Sequence, residues 1–181
     1  MSALKEQYKK DIAPKLKEQF GLSNVHEIPT VTKITLNTGL STKRDAKFIE
    51  VLQETLETIS GQKPVVVKAK KSEAGFKLRQ GMPNGVMVTL RGERMWDFMD
   101  KLVSVIFPRV RDFQGIKPSA VGPNGNFSYG FKEHTAFPEV SPDAIEQLHG
   151  LQVNINTTAD NKEQGRALFE ALGFPFKKTD A

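Results

Sequence analysis

The basic side chains of this 181-residue chain are concentrated in one short segment. Residues 63–80 hold six of them against a single carboxylate, Glu73, which gives this segment a net charge of +5. The whole chain, with 26 Lys and Arg against 21 Asp and Glu, has the same net charge of +5, so the remainder is close to neutral. A positive segment on a neutral body indicates a site for a polyanion such as RNA. Charge alone fits a solubilising surface loop equally well.

An aromatic residue lies within this basic segment. Phe76 stands between Gly75 and Lys77, and packing in a core explains a phenylalanine poorly in such a setting. Stacking on an unpaired base would use an exposed ring of this kind. The alternative is a ring that folds back onto the edge of the domain.

The sequence offers no arrangement typical of an enzyme or a metal site. Cysteine is absent, which excludes disulfides, Cys-ligated zinc and thiol catalysis. His26, His134 and His149 are far apart, and no metalloprotease, Walker-type or serine-hydrolase motif occurs. We therefore expect a protein that is not an enzyme, with no catalytic residues, no metal and no cofactor.

The N-terminal residues lack the apolar stretch of a secretion signal, and no apolar run approaches the ~18 residues of a membrane span. These features predict a cytoplasmic protein with no membrane partner.

Periodic apolar residues predict the elements that position the basic segment. Helices are expected over 3–20, 44–60, 93–107 and about 160–172, and a short one from Ser141-Pro142 through Leu148. Strands are expected over 31–40, 64–70, 85–91, 126–132 and 151–158. We expect Pro14 to kink the first helix or split it in two, Pro108 to end the third, and Asp160 with Glu163 to cap the last. Residues 71–84 are predicted to form a long loop, and residues 109–126 an extended excursion.

Two direct steps from strand to strand favour an α+β fold. We expect a mainly antiparallel sheet of about five strands with helices on one face and long functional loops, in a single domain over 1–181. Alternation leaves a polar, weakly basic set on the opposite face: Lys33, Asn37, Thr89, Arg91, Asn154 and Asn156. Open sheets of this kind bind RNA, although a merely solvated face is the simpler alternative.

Several long motifs resemble a known family nearly from end to end. They are ITLNTG at 34–39, ISGQKP at 59–64, KKSEAGFKLRQG at 70–81, VTLRGERMWDF at 88–98, PRVRDFQG at 108–115 and GRALFEALGFPFKK at 165–178. Together they resemble the family of bacterial large-subunit ribosomal protein number five, the 5S-rRNA-binding protein. The resemblance implies a ribosome-bound structural protein that anchors 5S rRNA in the central protuberance and also meets 23S rRNA.

The resemblance also implies a set of site residues. The family's contacts to 5S rRNA carry over onto Asn37, Gln62, Phe76 and Thr89, with Lys63, Lys68, Lys70 and Arg91 as phosphate partners. Alternation along the strands places Asn37, Thr89 and Arg91 on one face independently of the family.

Further partners are implied in the same way. The loop over 71–84 resembles one that approaches P-site tRNA, through Lys71, Lys77, Arg79 and Gln80. The stretch from about 109 to 146 resembles a bridge to small-subunit protein thirteen, with Arg109, Arg111 and Asp112 as candidates. Neighbouring 5S-rRNA-binding ribosomal proteins are expected partners too. A non-ribosomal RNA-binding or scaffold domain is the alternative function.

Overall fold

The computed structural model describes residues 2–40, 46–140 and 148–177. Its helices are α1 (Ala3–Gln7), α2 (Ala13–Phe20), α3 (Ala46–Ser60), α4 (Gly92–Lys101), α5 (Phe107–Arg109) and α6 (Lys162–Ala171). Its strands are β1 (Val31–Gly39), β2 (Val65–Lys68), β3 (Pro83–Leu90), β4 (Phe127–Phe131) and β5 (Leu151–Thr157). A π-helical turn at Tyr8–Ile12 joins α1 to α2, and a second at Leu102–Ile106 joins α4 to α5.

The strands form one antiparallel sheet in the order β2-β3-β1-β5-β4, which confirms the predicted α+β class and the number of strands. Val65 of β2 is opposite Met87 of β3, and Val66 is opposite Val86. Directly opposed residues point to the same face of a sheet. Val65 and Met87 therefore share one face, while Val66 and Val86 share the other.

Alternating burial along the strands follows the predicted pattern. The residues expected to point inward are all buried: Ile34, Leu36, Val86, Val88, Val153 and Ile155. Their neighbours Lys33, Asn37, Thr89, Asn154 and Asn156 are half-buried, and Arg91 is exposed. We call the side of the sheet that carries these half-buried residues the polar face.

Two compact units divide the chain. The first comprises Met1–Ile34, Arg91–Tyr129 and Asn154–Ala181, and the second comprises Thr35–Leu90 and Gly130–Val153. An aromatic cluster forms the centre of the first unit, where the ring of Phe127 lies 5.1 Å from those of both Phe169 and Phe174. In the second unit, α3 packs on β3.

Both prolines expected to disturb helices lie inside continuous helical segments. The prediction that Pro108 ends its helix was wrong, because the helix runs through Arg109. Pro14 and Pro108 each follow a π-helical turn by two residues. A proline lacks the N–H of the helical ladder and clashes with the carbonyl four residues earlier. The wider π turn changes this spacing, and so each helix accommodates its proline.

The boundaries of three other segments also differ from expectation. The cap of α6 lies one residue later than predicted: Asn161 Oδ1 accepts a 2.9 Å bond from Gln164 N, and Gln164 Oε1 accepts from Asp160 N. Strand β3 begins at Pro83, two residues early. The short helix expected from Ser141-Pro142 through Leu148 falls on 141–147, outside the described residues, except for Leu148, which is not helical.

No helix within the described ranges is both long and apolar enough to cross a bilayer.

Candidate nucleic-acid interface

The segment predicted as a long loop is a folded arm that extends the β2–β3 hairpin. We call residues 69–82 the hairpin arm. Its base is closed by backbone bonds from Ala69 N to Met82 O (2.8 Å) and from Gly81 N to Ala69 O (2.9 Å). Nearer the tip, Glu73 and Leu78 bond each other's backbone at 2.9 and 3.1 Å. Because the arm has its own ladder, its side chains are held at defined places along it.

The tip of the arm presents an aromatic ring to solvent. Ala74–Phe76 form a single 3₁₀ turn, and Lys77 closes it in the left-handed conformation with φ of 54°. Phe76 is 72% exposed, so its ring does not fold back onto the domain. An exposed ring on a turn is free to stack on a flat partner.

The arm that carries this ring also carries several cations. Lys68 ends β2, and the arm adds four exposed cations against one acid, Glu73. These four are Lys70, Lys71, Lys77 and Arg79. Across the described ranges, none of these five cations forms an ion pair. Their charge is therefore available to phosphate groups.

The second unit contributes Asn37 and Thr89 to the polar face, and Gln62 is hydrogen-bonded to the strand that carries Thr89. Gln62 follows the left-handed Gly61 (φ 65°), and its Nε2 donates to Thr89 O at 3.1 Å. This bond extends the contact between β2 and β3 beyond Val65. It also uses one of the two amide hydrogens of Gln62 within the fold. Asn37 and Thr89, on the adjacent strands β1 and β3, are half-buried.

Gly85 keeps the backbone close beside Asn37. A Cβ at Gly85 would lie 2.9 Å from Thr38 O and 3.8 Å from Asn37 Oδ1. A side chain at Gly85 would therefore clash with the backbone of β1 at Thr38, whereas its contact with the Asn37 amide would be an ordinary one.

The structure brings only some of the predicted residues together. It joins Gln62 to Thr89 by a hydrogen bond, and it places Phe76 at the tip of the arm instead of on the sheet. Lys63 is exposed just before β2, and Arg91 is exposed at the N-cap of α4. Gln80 is exposed in the arm, where its backbone N–H bonds Ser72 Oγ at 3.0 Å.

An apolar patch on this surface was missed by sequence reasoning. Val65 is 64% exposed and shares a face with half-buried Met87. Only the register of β2 against β3 reveals this pair, and a run of three valines does not specify which of them points outward.

The candidates for the intersubunit bridge lie in the first unit. Arg109 ends α5, and Arg111 and Asp112 follow on an exposed turn where Asp112 has a left-handed φ of 54°. Behind this turn, Phe113 stacks on buried Phe107 with ring centroids 5.6 Å apart. The turn thus presents two cations and one carboxylate, and the stacked rings of Phe107 and Phe113 hold it in place.

The fold and this surface define a small α+β protein with an open polar sheet face and a cationic arm. Comparison with known families gives two matches in tandem: ribosomal protein L5 over residues 24–79 and the C-terminus of the same ribosomal family over residues 83–176. The chain belongs to the ribosomal protein L5 family.

Similar proteins agree over nearly the whole length. The chain is 51% identical over 175 residues to large ribosomal subunit protein uL5 of Microcystis aeruginosa, covering 96% of this chain and 98% of that one. It is 51% identical over 179 residues to the protein of that name from Marinomonas sp., covering 98% and 100%. The uL5 protein of Francisella tularensis is 48% identical over 178 residues, covering 98% and 99%.

Membership of the family confirms the resemblance drawn from the motifs. It confirms that the protein is a structural ribosomal protein and not an enzyme, and that its location is the ribosome in the cytoplasm. The roles of individual residues stay predictions.

Proposed function

We propose that this protein is a constituent of the large ribosomal subunit that binds 5S rRNA and anchors it in the central protuberance. One observation carries the proposal: an exposed phenylalanine and five cations that form no ion pair with any described residue stand on the β2–β3 hairpin, in the same unit as the half-buried amides of Asn37 and Gln62. RNA offers all the matching groups, namely phosphates, ribose hydroxyls and flat bases.

The residues divide by chemistry. The cations Lys63, Lys68, Lys70 and Arg91 neutralise phosphates, which supplies affinity without sequence preference. Neutral Asn37, Gln62 and Thr89 donate to or accept from ribose hydroxyls and base edges, and Phe76 stacks on an unpaired base. Preference for 5S rRNA comes from this second group.

The outer part of the arm contacts P-site tRNA in this proposal. Lys71, Lys77, Arg79 and Gln80 are all exposed there, and the ladder of the arm holds them away from the sheet. Three cations and an amide suit a phosphate backbone, which all tRNAs share.

The turn at 109–112 bridges to the small subunit in the same proposal. Arg109, Arg111 and Asp112 present charges of both signs, which suits a protein surface such as that of small-subunit protein thirteen better than a uniform polyanion. We further propose that residues 1–181 act as one rRNA-binding domain that also meets 23S rRNA and neighbouring 5S-rRNA-binding proteins. Strands β1, β4 and β5 each contribute residues to both units, which supports a single domain.

Titration of the full chain tests the binding of 5S rRNA. We expect tighter binding to 5S rRNA than to an unrelated RNA of equal length at the same salt concentration. Asn37→Ala should weaken binding to 5S rRNA and leave the unrelated RNA unaffected, because the amide carries no charge. Asn124→Ala, on an exposed turn of the first unit, is the matched control and should change neither. Equal affinity of the unaltered chain for the two RNAs would refute the proposal.

A further inference from the structure

A cavity of about 410 Å³ lies in the first unit, and none of the residues that line it is assigned above to 5S rRNA, to tRNA or to the intersubunit bridge. One wall is the segment that carries Ser119, Ala120 and Gly122, and the other is formed by the polar face of β4 and β5. A bridge between Val121 and Phe127 holds the two walls together. Volumes of this size are typical of sites for small molecules or single chemical groups.

Two asparagine amides supply the recognition groups of the cavity. Ser128 Oγ donates to Asn154 Oδ1 at 2.8 Å, and this bond turns the Asn154 amide so that its N–H groups stay available. The backbone carbonyl of Asn156 accepts from Thr32 Oγ1 at 3.0 Å. No side-chain hydrogen bond of Asn156 occurs in the part of the chain that the structure describes. The Asn154 amide thus offers a hydrogen-bond donor to the cavity, and the Asn156 amide offers both a donor and an acceptor.

The charge and shape of the cavity restrict its ligand. None of the residues that line it is charged, so it has no partner for a phosphate or another ion. Ala120 and Gly122 leave space along one wall for a flat group to lie beside Asn154 and Asn156. A nucleobase is flat and neutral, and its edge presents donors and acceptors side by side, which asparagine amides pair with directly.

We propose that this cavity binds one unstacked nucleobase of ribosomal RNA through the amides of Asn154 and Asn156. The source of the base rests on the proposed function, since it assumes that the chain binds ribosomal RNA. The contact is independent of Phe76 and of the cationic arm, because every residue lining it belongs to the first unit. Recognition of RNA sequence commonly uses splayed bases in this way.

Photocrosslinking in assembled large subunits tests the site. A benzoylphenylalanine replaces exposed Ser119 at the rim of the cavity, and a second preparation carries the same group in place of Lys70 in the arm. We expect the probe at Ser119 to crosslink to one rRNA nucleotide. Adding Asn156→Ala should lower that yield by about fivefold or more, the lower end of what a paired amide contributes. Asn156→Asp, which keeps the shape of the side chain, should lower it similarly, and Asn124→Ala should leave it unchanged.

The two probes separate the outcomes. If the probe at Lys70 crosslinks to RNA while the probe at Ser119 crosslinks only to protein or to nothing, the base pocket is refuted and the proposed function stands. If neither probe crosslinks to RNA, the proposed function fails as well. An RNA crosslink from the probe at Ser119 whose yield is the same in both Asn156 variants as in their absence would also overturn the assignment. Thermal unfolding of each variant shows whether a lost crosslink reflects a lost fold.

Discussion

Phe76 is the residue whose environment departs most from that of an ordinary phenylalanine. Its ring is 72% exposed on a turn, where it gives the fold little. Phe76→Ala should therefore leave the free energy of unfolding nearly unchanged. It should weaken binding to 5S rRNA by about 1–3 kcal/mol, the usual contribution of one stacked base. The slope of log affinity against log salt should stay the same, because the ring neutralises no phosphate. Fluorescence titrations at several salt concentrations measure both quantities.

Lys70→Ala is the matched change of charge in the same arm. Lys70 is exposed and forms no ion pair within the described ranges. Its loss should flatten the salt slope by about 0.7–0.9, the value for one neutralised phosphate. The division of roles between ring and cation would be wrong if both variants changed the slope equally.

Gly165 is a residue on which the packing of the first unit depends. A Cβ at this position would lie 2.4 Å from Gly125 Cα, backbone that has no side chain to move aside. Gly165→Ala should lower the free energy of unfolding by about 1–3 kcal/mol or more, as overpacking does. Gly130→Ala is the control, because nothing lies within 4 Å of its added Cβ. Urea denaturation compares the two, and equal stability would contradict this account of the contact.

The polar residues of the candidate site could be predicted because alternation along a strand needs only the local sequence. Asn37 and Thr89 are outward and half-buried as expected. The apolar patch of Val65 and Met87 could not be predicted, since it depends on the register between two strands. The closeness of Gly165 to Gly125 is likewise a contact between segments 40 residues apart, which no local pattern encodes.

At the scale of elements, the sequence predicts the presence of a helix better than it predicts the residues at which the helix begins and ends. Apolar periodicity located the regions of α1 to α4 and of α6, but the effects of proline depend on a π turn, a change in hydrogen bonding that periodicity does not reveal. The arm illustrates the same limit. Its glycines and proline predict a loop, whereas its ladder comes from backbone bonds such as that between Glu73 and Leu78.

The N-terminus of α6 gives a prediction about one element. Asn161 Oδ1 caps Gln164 N at 2.9 Å, and this bond satisfies a backbone donor that the helix leaves open. Asn161→Ala should lower the free energy of unfolding by about 1 kcal/mol. Asp160→Ala should cost less, because the structure uses the backbone N–H of Asp160 at this cap, and that group survives the change. If chemical denaturation showed a larger loss of stability for Asp160→Ala than for Asn161→Ala, Asp160 would be the capping residue, as the sequence predicts.

Stability of the molecule should depend on pH through His134, which is buried against His149 in the second unit. The rings of His134 and His149 stack with centroids 4.1 Å apart, and both residues are buried. Burial lowers the pKa of His134 below its ordinary value of 6.5. The unfolded chain therefore takes up a proton at a higher pH than the folded chain does. The contribution to stability is fully present above about pH 6.5 and is lost as the pH falls through the folded pKa.

Urea denaturation at a series of pH values between about 7.5 and 5 measures this effect around the ordinary histidine pKa. His134→Phe keeps an aromatic ring in the stack and removes one titrating group, so its stability should depend less on pH even if it is lower throughout. His26→Gln changes an exposed histidine and should behave like the unaltered chain. An unchanged pH dependence in His134→Phe would show that another group is responsible.

The class of the whole molecule could be predicted, because strand order along the chain and long family motifs both act at the level of sequence. The division into two compact units could not, since each unit is assembled from separate stretches of the chain. The cavity in the first unit could not be predicted for the same reason. Ser119 and Asn156 are far apart in sequence, and only the folded sheet brings them to the same space.

The placement of charge, more than its amount, should govern binding of RNA by the whole molecule. Changing four lysines of β2 and the arm to glutamine lowers the net charge from +5 to +1. Those four are Lys68, Lys70, Lys71 and Lys77. A control with the same net charge changes four exposed lysines of the first unit. They are Lys9, Lys10, Lys15 and Lys117.

The two quadruple variants share a net charge, so any long-range attraction that depends only on the total is the same in both. The variant of the arm should lose about 1.4–1.8 from the salt slope for 5S rRNA, the contribution of its two phosphate partners Lys68 and Lys70 at about 0.7–0.9 each, since Lys71 and Lys77 belong to the contact proposed for tRNA. The control should retain the slope of the unaltered chain for 5S rRNA to within about one phosphate contact. Salt titrations of both variants distinguish binding that depends on where the charge lies from binding that depends only on the total charge. If their slopes fell by the same amount, RNA would respond to the total charge of the protein, and the arm would have no special part in binding.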